Sequence, residues 1–165
     1  MAPQSTPNTI LDALNIDGGV HLQCSVAGYQ FPKKLHDDWC FVRVAIRQGS
    51  RVFEKIDPAL EAHDLLRIRN WFRALADLRL PRVAHLTFVE PCLGFEFLGH
   101  DEHGVRFAVH LGAELRPPFS LEQLSEVSKE WVVVFRFDAQ QLADIASAVD
   151  ALCKTFAVRS RVTRH

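Results

Sequence analysis

The sequence predicts an α+β domain: a largely antiparallel sheet of about six to seven strands with two amphipathic helices packed on one face. Three observations carry that expectation. Several segments alternate apolar and polar residues with a period of two. Two other stretches repeat apolar residues every three or four positions. The strand-like segments follow one another across short turns and do not alternate strictly with helices, which argues against a parallel βαβ sheet.

The first alternating segment is Val20, Leu22, Cys24 and Val26, interleaved with His21, Gln23 and Ser25 after a Gly18-Gly19 turn. A second runs from Trp39 to Arg47, with Val42, Val44 and Ile46 on one side and Phe41, Arg43, Ala45 and Arg47 on the other. Gln48, Gly49 and Ser50 form a hairpin loop that returns through Val52 to Ile56. Asp57-Pro58 is a helix-start signal, a capping carboxylate followed by proline at the first helical position. Leu65, Ile68, Phe72 and Leu75 then make an apolar stripe, which places the first helix at Pro58 to Leu78, stopped by Pro81.

Three further strands are expected, over 82–90, 93–97 and 105–113, with His100 to Gly104 as a turn. Ser120 to Glu130 is polar, and Ser120 with Gln123 has capping-box spacing for one short helical turn. Trp131 to Phe137 is the last strand. Asp138 caps a second helix over Ala139 to Phe156, striped by Leu142, Ile145, Val149, Leu152 and Phe156. Residues 1–9 are expected to form a disordered leader and 10–159 a single domain, followed by a tail at 160–165 in a basic run that begins at Arg159 and frays. No internal repeat or low-complexity tract is visible.

Composition limits the function. The chain has 165 residues, 48% hydrophobic and 24% charged, enough to bury a core without staples. A net charge of −1 gives no global field to recruit nucleic acid or an anionic membrane. The four cysteines, Cys24, Cys40, Cys92 and Cys153, form no C-x-x-C and read as buried small hydrophobes in a reducing compartment. The N-terminus has no basic and apolar segments of a signal peptide. No apolar run approaches the roughly 20 residues of a membrane span. A cytoplasmic location is expected.

No catalytic constellation is recognisable. The eight histidines (His21, His36, His63, His85, His100, His103, His110 and His165) make no H-x-x-x-H or H-E-x-x-H, so no metal or cofactor is expected. Phosphate loops, dinucleotide fingerprints and G-x-S-x-G are absent. Cys40 follows His36 by four residues, but a packed thiol is the better account than a Cys–His pair.

Recognition is therefore sought on the second side of the strands, which mixes small residues with charges of both signs. Arg43, Glu96, His110 and Glu114 are candidates there. The loops add acidic candidates: Asp37 and Asp38 before Trp39, Asp101 and Glu102 in a turn, and Glu122, Glu126 and Glu130. Each is also an ordinary solvated position. Glu90, in phase with Leu86 and Phe88 and followed by Pro91, reads as a structural polar anchor that accepts backbone N–H bonds or pairs with an arginine.

Four features together carry a family resemblance. They are the Asp38-Trp39 start of an early strand with Val42-Arg43-Val44, the Leu65, Trp71, Phe72 and Leu75 helix, the stretch LTFVEPCLGFEF from Leu86 to Phe97, and a closing strand–helix that ends at Phe156 to Arg159. Over about Val20 to Arg159 the chain resembles the WapI family of bacterial immunity proteins, which guard a cell against the toxic C-terminal domain of a contact-dependent or polymorphic toxin. The resemblance implies a non-catalytic protein that binds and neutralises a cognate toxin domain, a nuclease acting on tRNA among the candidates, with no direct nucleic-acid partner. Balanced charge departs from the acidic surface with which such proteins often mimic nucleic acid. Two alternatives stay open: a small-ligand-binding protein or enzyme using the histidine-bearing sheet face, and a homodimer through that face.

Overall fold

The computed structural model describes residues 8–119 and 131–159. The expected turn over 120–130, with Glu122, Glu126 and Glu130, and the tail at 160–165 lie outside the described residues.

Alternation sets the strands. The first sheet is formed by β1 (Thr9–Leu14), β2 (His21–Tyr29), β3 (Trp39–Gln48) and β4 (Arg51–Glu61), in that order. Leu22, Cys24 and Val26 of β2 face the core beside Val42, Val44 and Ile46 of β3, their direct partners in register. α1 (Ala62–Ala76) follows. The second sheet is β5 (His85–Leu86), β6 (Leu93–Asp101), β7 (Gly104–Leu111) and β8 (Trp131–Phe137), again in sequence order, and α2 (Ala139–Thr155) closes the chain. All strand pairs are antiparallel, as expected.

Among the described residues the strands number eight, in two sheets of four rather than one sheet of six or seven. β1 begins at Thr9, inside the stretch read as leader, and its alternation is too short to stand out in the sequence. The first helix starts at Ala62, not Pro58. Asp57 and Pro58 belong to β4, where the register shifts between Cys40 and Val42. Two residues, Pro58 and Ala59, thus sit opposite Phe41, a bulge on an edge strand, which is where a strand tolerates a proline. Asp64 caps the helix instead, its Oδ2 accepting the Glu61 N–H at 2.9 Å. Of the strand expected over 82–90, only His85 and Leu86 pair as β-structure. α2 begins as predicted: Asp138 Oδ1 accepts the Gln141 N–H at 2.8 Å and Gln141 Oε1 accepts the Asp138 N–H at 2.9 Å, a reciprocal capping box.

The topology repeats, four antiparallel strands and then a helix, twice. Each helix makes aromatic contact with the other half's sheet. Trp71 and Phe72 of α1 meet Phe95 of β6 and Phe107 of β7, with Phe72 standing edge-on to both rings at 5.4 Å. At the end of α2, Phe156 meets Tyr29 of β2 at 5.5 Å. The helices pack on each other, and Arg69 reaches Asp150 across them at 3.0 Å. The Ile16 N–H donates to Val134 O at 2.8 Å, tying the β1–β2 turn to β8. One continuous cluster of buried side chains results.

Phe107 touches both helix α1 and strand β8 through ring contacts. Truncating it opens a cavity where the halves meet. Phe107→Ala is expected to lower unfolding free energy by about 3–5 kcal/mol, a large share of the roughly 5–15 kcal/mol of an ordinary domain; urea titration followed by far-UV circular dichroism measures it.

Candidate functional site

The loop between β2 and β3 is held by a residue from the far end of the chain. Arg159 donates from Nη1 to Pro32 O at 2.8 Å and from Nη2 to Phe31 O and Lys34 O, both at 3.3 Å. Its Nη2 also donates to Asp37 O. The guanidinium lies 3.6 Å from the Tyr29 ring centroid, and Tyr29 Oη donates to Ala157 O at 2.6 Å. Asp38 completes the arrangement. Its carboxylate is buried and accepts the Arg159 backbone N–H at 3.0 Å and Nε at 3.5 Å. Its carbonyl accepts the first N–H of α1, from Ala62, at 2.9 Å.

This changes what the candidates in that loop do. Asp38 holds the loop, β3 and α1 together from inside. Asp37, half-buried, turns its carboxylate back to the Trp39 N–H at 3.0 Å. Arg159, read as the start of a fraying tail, is bound by five residues. The side chains the loop presents outward are Lys33, Lys34, Leu35 and His36.

The remaining candidates divide between the two sheets. On the first, Arg43 Nε donates to Glu54 Oε1 at 2.8 Å across β3 and β4, and that bond holds the Glu54 carboxyl below its ordinary range. Nearby, His21 lies 2.5 Å from Asp12. On the second sheet, His110 Nε2 lies 2.7 Å from Glu96 Oε2, and the His110 ring is 4.6 Å from that of His85. Asp101 accepts the His103 N–H at 2.8 Å and Arg136 Nη2 at 3.1 Å. The His103 amide first, and the Arg136 charge after it, hold its carboxyl below the ordinary range. Glu102 and Glu114 are exposed, the latter in a 3-10 turn at Ala113–Leu115. Glu96 and His110 are thus brought together, while Arg43 lies on the other sheet. The face read as one surface is two.

Glu90 is exposed in the bend before β6, and no hydrogen bond or ion pair reaches its carboxylate among the described residues. The buried carboxylates that anchor backbone are Asp38 and Asp64. Neither was distinguishable in the sequence from other loop and helix acids. Arg159 ends one of the stretches that carry the resemblance, but nothing there reveals its role, which depends on partners more than 120 positions away.

The chemistry available is limited. The cavity beside His85 and His110 is about 140 Å³, well under the roughly 300 Å³ at which small-molecule sites begin. Among the described residues no three His, Cys, Asp or Glu side chains are grouped to hold a metal ion. The Cys40 thiol is fully buried and donates to Asp38 O at 3.5 Å; burial first, and the Asp38 charge after it, push it up to about 12. His36 is exposed in the loop. Burial pushes the thiols of Cys24 and Cys92 up to about 12 as well. No helix of the described residues is long and apolar enough to cross a membrane.

Two predictions follow from these contacts. Arg159→Ala removes the cation beside the buried Asp38 carboxylate and leaves four carbonyls without their donor, so it is expected to cost about 3 kcal/mol, whereas Glu90→Gln stays within about 0.5 kcal/mol; thermal unfolding of the two variants side by side checks this. Iodoacetamide at pH 8 is expected to modify the half-buried Cys153 in the native protein and to reach Cys24, Cys40 and Cys92 only after unfolding, as peptide mass mapping would show.

The comparisons with known proteins bear on this arrangement of paired charges. No curated protein matches the chain. A family model, that of the immunity protein WapI-like family, matches residues 13–157. That span runs from the end of β1 to the residue that accepts the Tyr29 hydroxyl, and so takes in both sheets and both helices. The chain belongs to the WapI-like immunity protein family.

Proposed function

We propose that this chain is a non-catalytic immunity protein that binds a cognate bacterial toxin domain in the cytoplasm and blocks it, the toxin being a nuclease. The observation that carries the reading is the family match over residues 13–157. The geometry supports it in two ways. Charged candidates are held in short surface pairs such as Arg43–Glu54, Glu96–His110 and Asp101–Arg136, spread over two sheets and not converging on one reacting centre. The thiol weighed as a nucleophile, Cys40, is held protonated by burial.

A partner surface assembled from such pairs gives register and selectivity more than raw affinity. Arg43, Glu96, His110, Asp37, Asp101, Glu102 and Glu114 are accessible in whole or part and are the polar groups proposed to meet the toxin. Asp38 contributes indirectly, by fixing the loop that carries Asp37. Neutralisation then needs only occlusion of the toxin's active site or substrate path. No cofactor and no direct nucleic-acid contact enter this reading. The ligand-binding alternative rests on the His85–His110 pair, whose cavity of about 140 Å³ accepts only a few atoms.

Co-expression tests the proposal. Where the gene beside this chain's own encodes a large secreted toxin, cells producing the C-terminal domain of that toxin are expected to grow when this chain is present and to stop when it is absent. The two purified proteins should co-elute as one complex. Failure of both protection and binding would sink the reading.

A further inference from the structure

The connection from α1 to β5 places an exposed leucine where helix chemistry favours glycine. The helix ends in a Schellman motif: the Arg79 N–H donates to Ala74 O at 2.9 Å and the Leu78 N–H to Leu75 O at 3.1 Å. Residue 78 therefore sits in the left-handed region, at φ 55°, where a Cβ crowds the backbone and glycine is the usual occupant. The Leu78 side chain is 62% exposed, so burial offsets little of that strain. Strain kept without a packing return concentrates at functional positions.

Two more apolar side chains follow, Leu80 at 80% and Val83 at 45% exposure. Their backbone is fixed. Pro81 confines Leu80 to extended conformations, and Val83 O accepts the Trp71 indole N–H at 2.9 Å. The next carbonyl, Ala84 O, accepts the Phe97 N–H at 2.8 Å. Residues 78–83 thus form a rigid ridge that holds three apolar groups outward before any partner arrives, so little ordering entropy is lost on contact.

The surroundings define the partner's chemistry. Cavities of about 220 Å³ and 210 Å³ flank the ridge. Arg67, Arg79 and Arg82 line them together with Asn70, His100 and apolar groups, and no carboxylate does; Arg67 is held from behind by Asp64 at 3.2 Å and Thr87 O at 3.0 Å. Asp77 stands just outside, paired with Arg79 at 3.0 Å. Arg82 is exposed and has no ion pair among the described residues. An apolar ridge bordered by guanidinium groups fits an apolar notch rimmed by carboxylates, which arginines can grip in bidentate fashion.

We propose that residues 78–83 are the principal toxin-contacting ridge and that the toxin surface they meet is apolar and acid-rimmed. This rests on the toxin-binding reading above and names its central contact. It also reverses the charge expected of an inhibitor that mimics nucleic acid.

The probe is the purified toxin domain that the co-expression test identifies, titrated calorimetrically into the full chain. Leu80→Ser and Arg82→Glu are each expected to weaken binding by about tenfold or more with Tm unchanged. Leu78→Gly relieves the strained cap and is expected to raise Tm by about 2–4 °C while still weakening binding, an outcome that loss of fold does not produce. Leu14→Ser, at an exposed position ending β1 outside the ridge and the proposed polar contacts, is expected to leave affinity unchanged.

If the unmodified chain binds the toxin domain and the three ridge variants keep its affinity, the contact lies elsewhere: this proposal is overturned and toxin binding stands. If Leu80→Ser instead dissolves a dimer of this chain in sedimentation, the ridge belongs to a second copy and the proposal is overturned. Tight binding of a short RNA duplex that Arg82→Glu abolishes would overturn it likewise. If the unmodified chain does not bind the toxin domain at all, the functional reading fails and the ridge assignment with it.

Discussion

Trp71 and Phe72, adjacent on one helix, join the two halves of the molecule. Both rings leave the half that encodes them and pack, mostly edge-on, against Phe95 and Phe107 of the second sheet. A sheet that is apolar on one face must bury that face against another element. Because the first helix is lent to the second sheet and Phe156 of the second helix returns to Tyr29, neither half completes its own core. The expected behaviour is one cooperative unit, and each exposed surface inherits its geometry from that shared interior. The trade also explains why a repeated strand–strand–strand–strand–helix order leaves no repeat in the sequence: the two copies face different neighbours and select different side chains.

The Arg159 arrangement works at a second level. Its guanidinium meets four backbone carbonyls and an aromatic face, while its amide meets Asp38. Five donors in a planar fork match this many acceptors; an ammonium could not span them. The loop so fixed displays lysines and Leu35, although its sequence contains two aspartates. Acidic residues turned inward and cationic ones outward give this side of the molecule a local character that a net charge of −1 conceals.

Much of the fold was legible because period-two and period-three-to-four patterns report which face of an element is buried. β2, β3, β7, β8 and α2 follow from them, and Asp138 reads directly as a cap. Apart from β1, which is too short to show a pattern, the failures are local signals overruled by tertiary contacts. Asp57-Pro58 has helix-start chemistry, yet pairing with β3 extends the strand through a bulge to Glu61. Residues 82–90 alternate like a strand, but the carbonyls of Val83, Ala84 and Thr87 are claimed by Trp71, Phe97 and Arg67. Site residues were harder. Glu90 and Asp38 look alike in sequence, each a carboxylate beside a strand end, and only a partner 121 positions away makes Asp38 the buried one. Leu78 carries no sequence signal, since its meaning lies in a backbone angle.

That separation of 121 positions also orders events in time. The loop at 31–37 leaves the ribosome early, but the guanidinium that fixes it is among the last described residues to be made. Contacts between such distant positions form only after the intervening chain has paid its closure entropy. A nascent chain would hold β2 and β3 as a hairpin with an untied connection until α2 has docked. The finished surface would therefore exist only on chains synthesised past Arg159, so shorter products could not occupy a partner with a half-formed version of it.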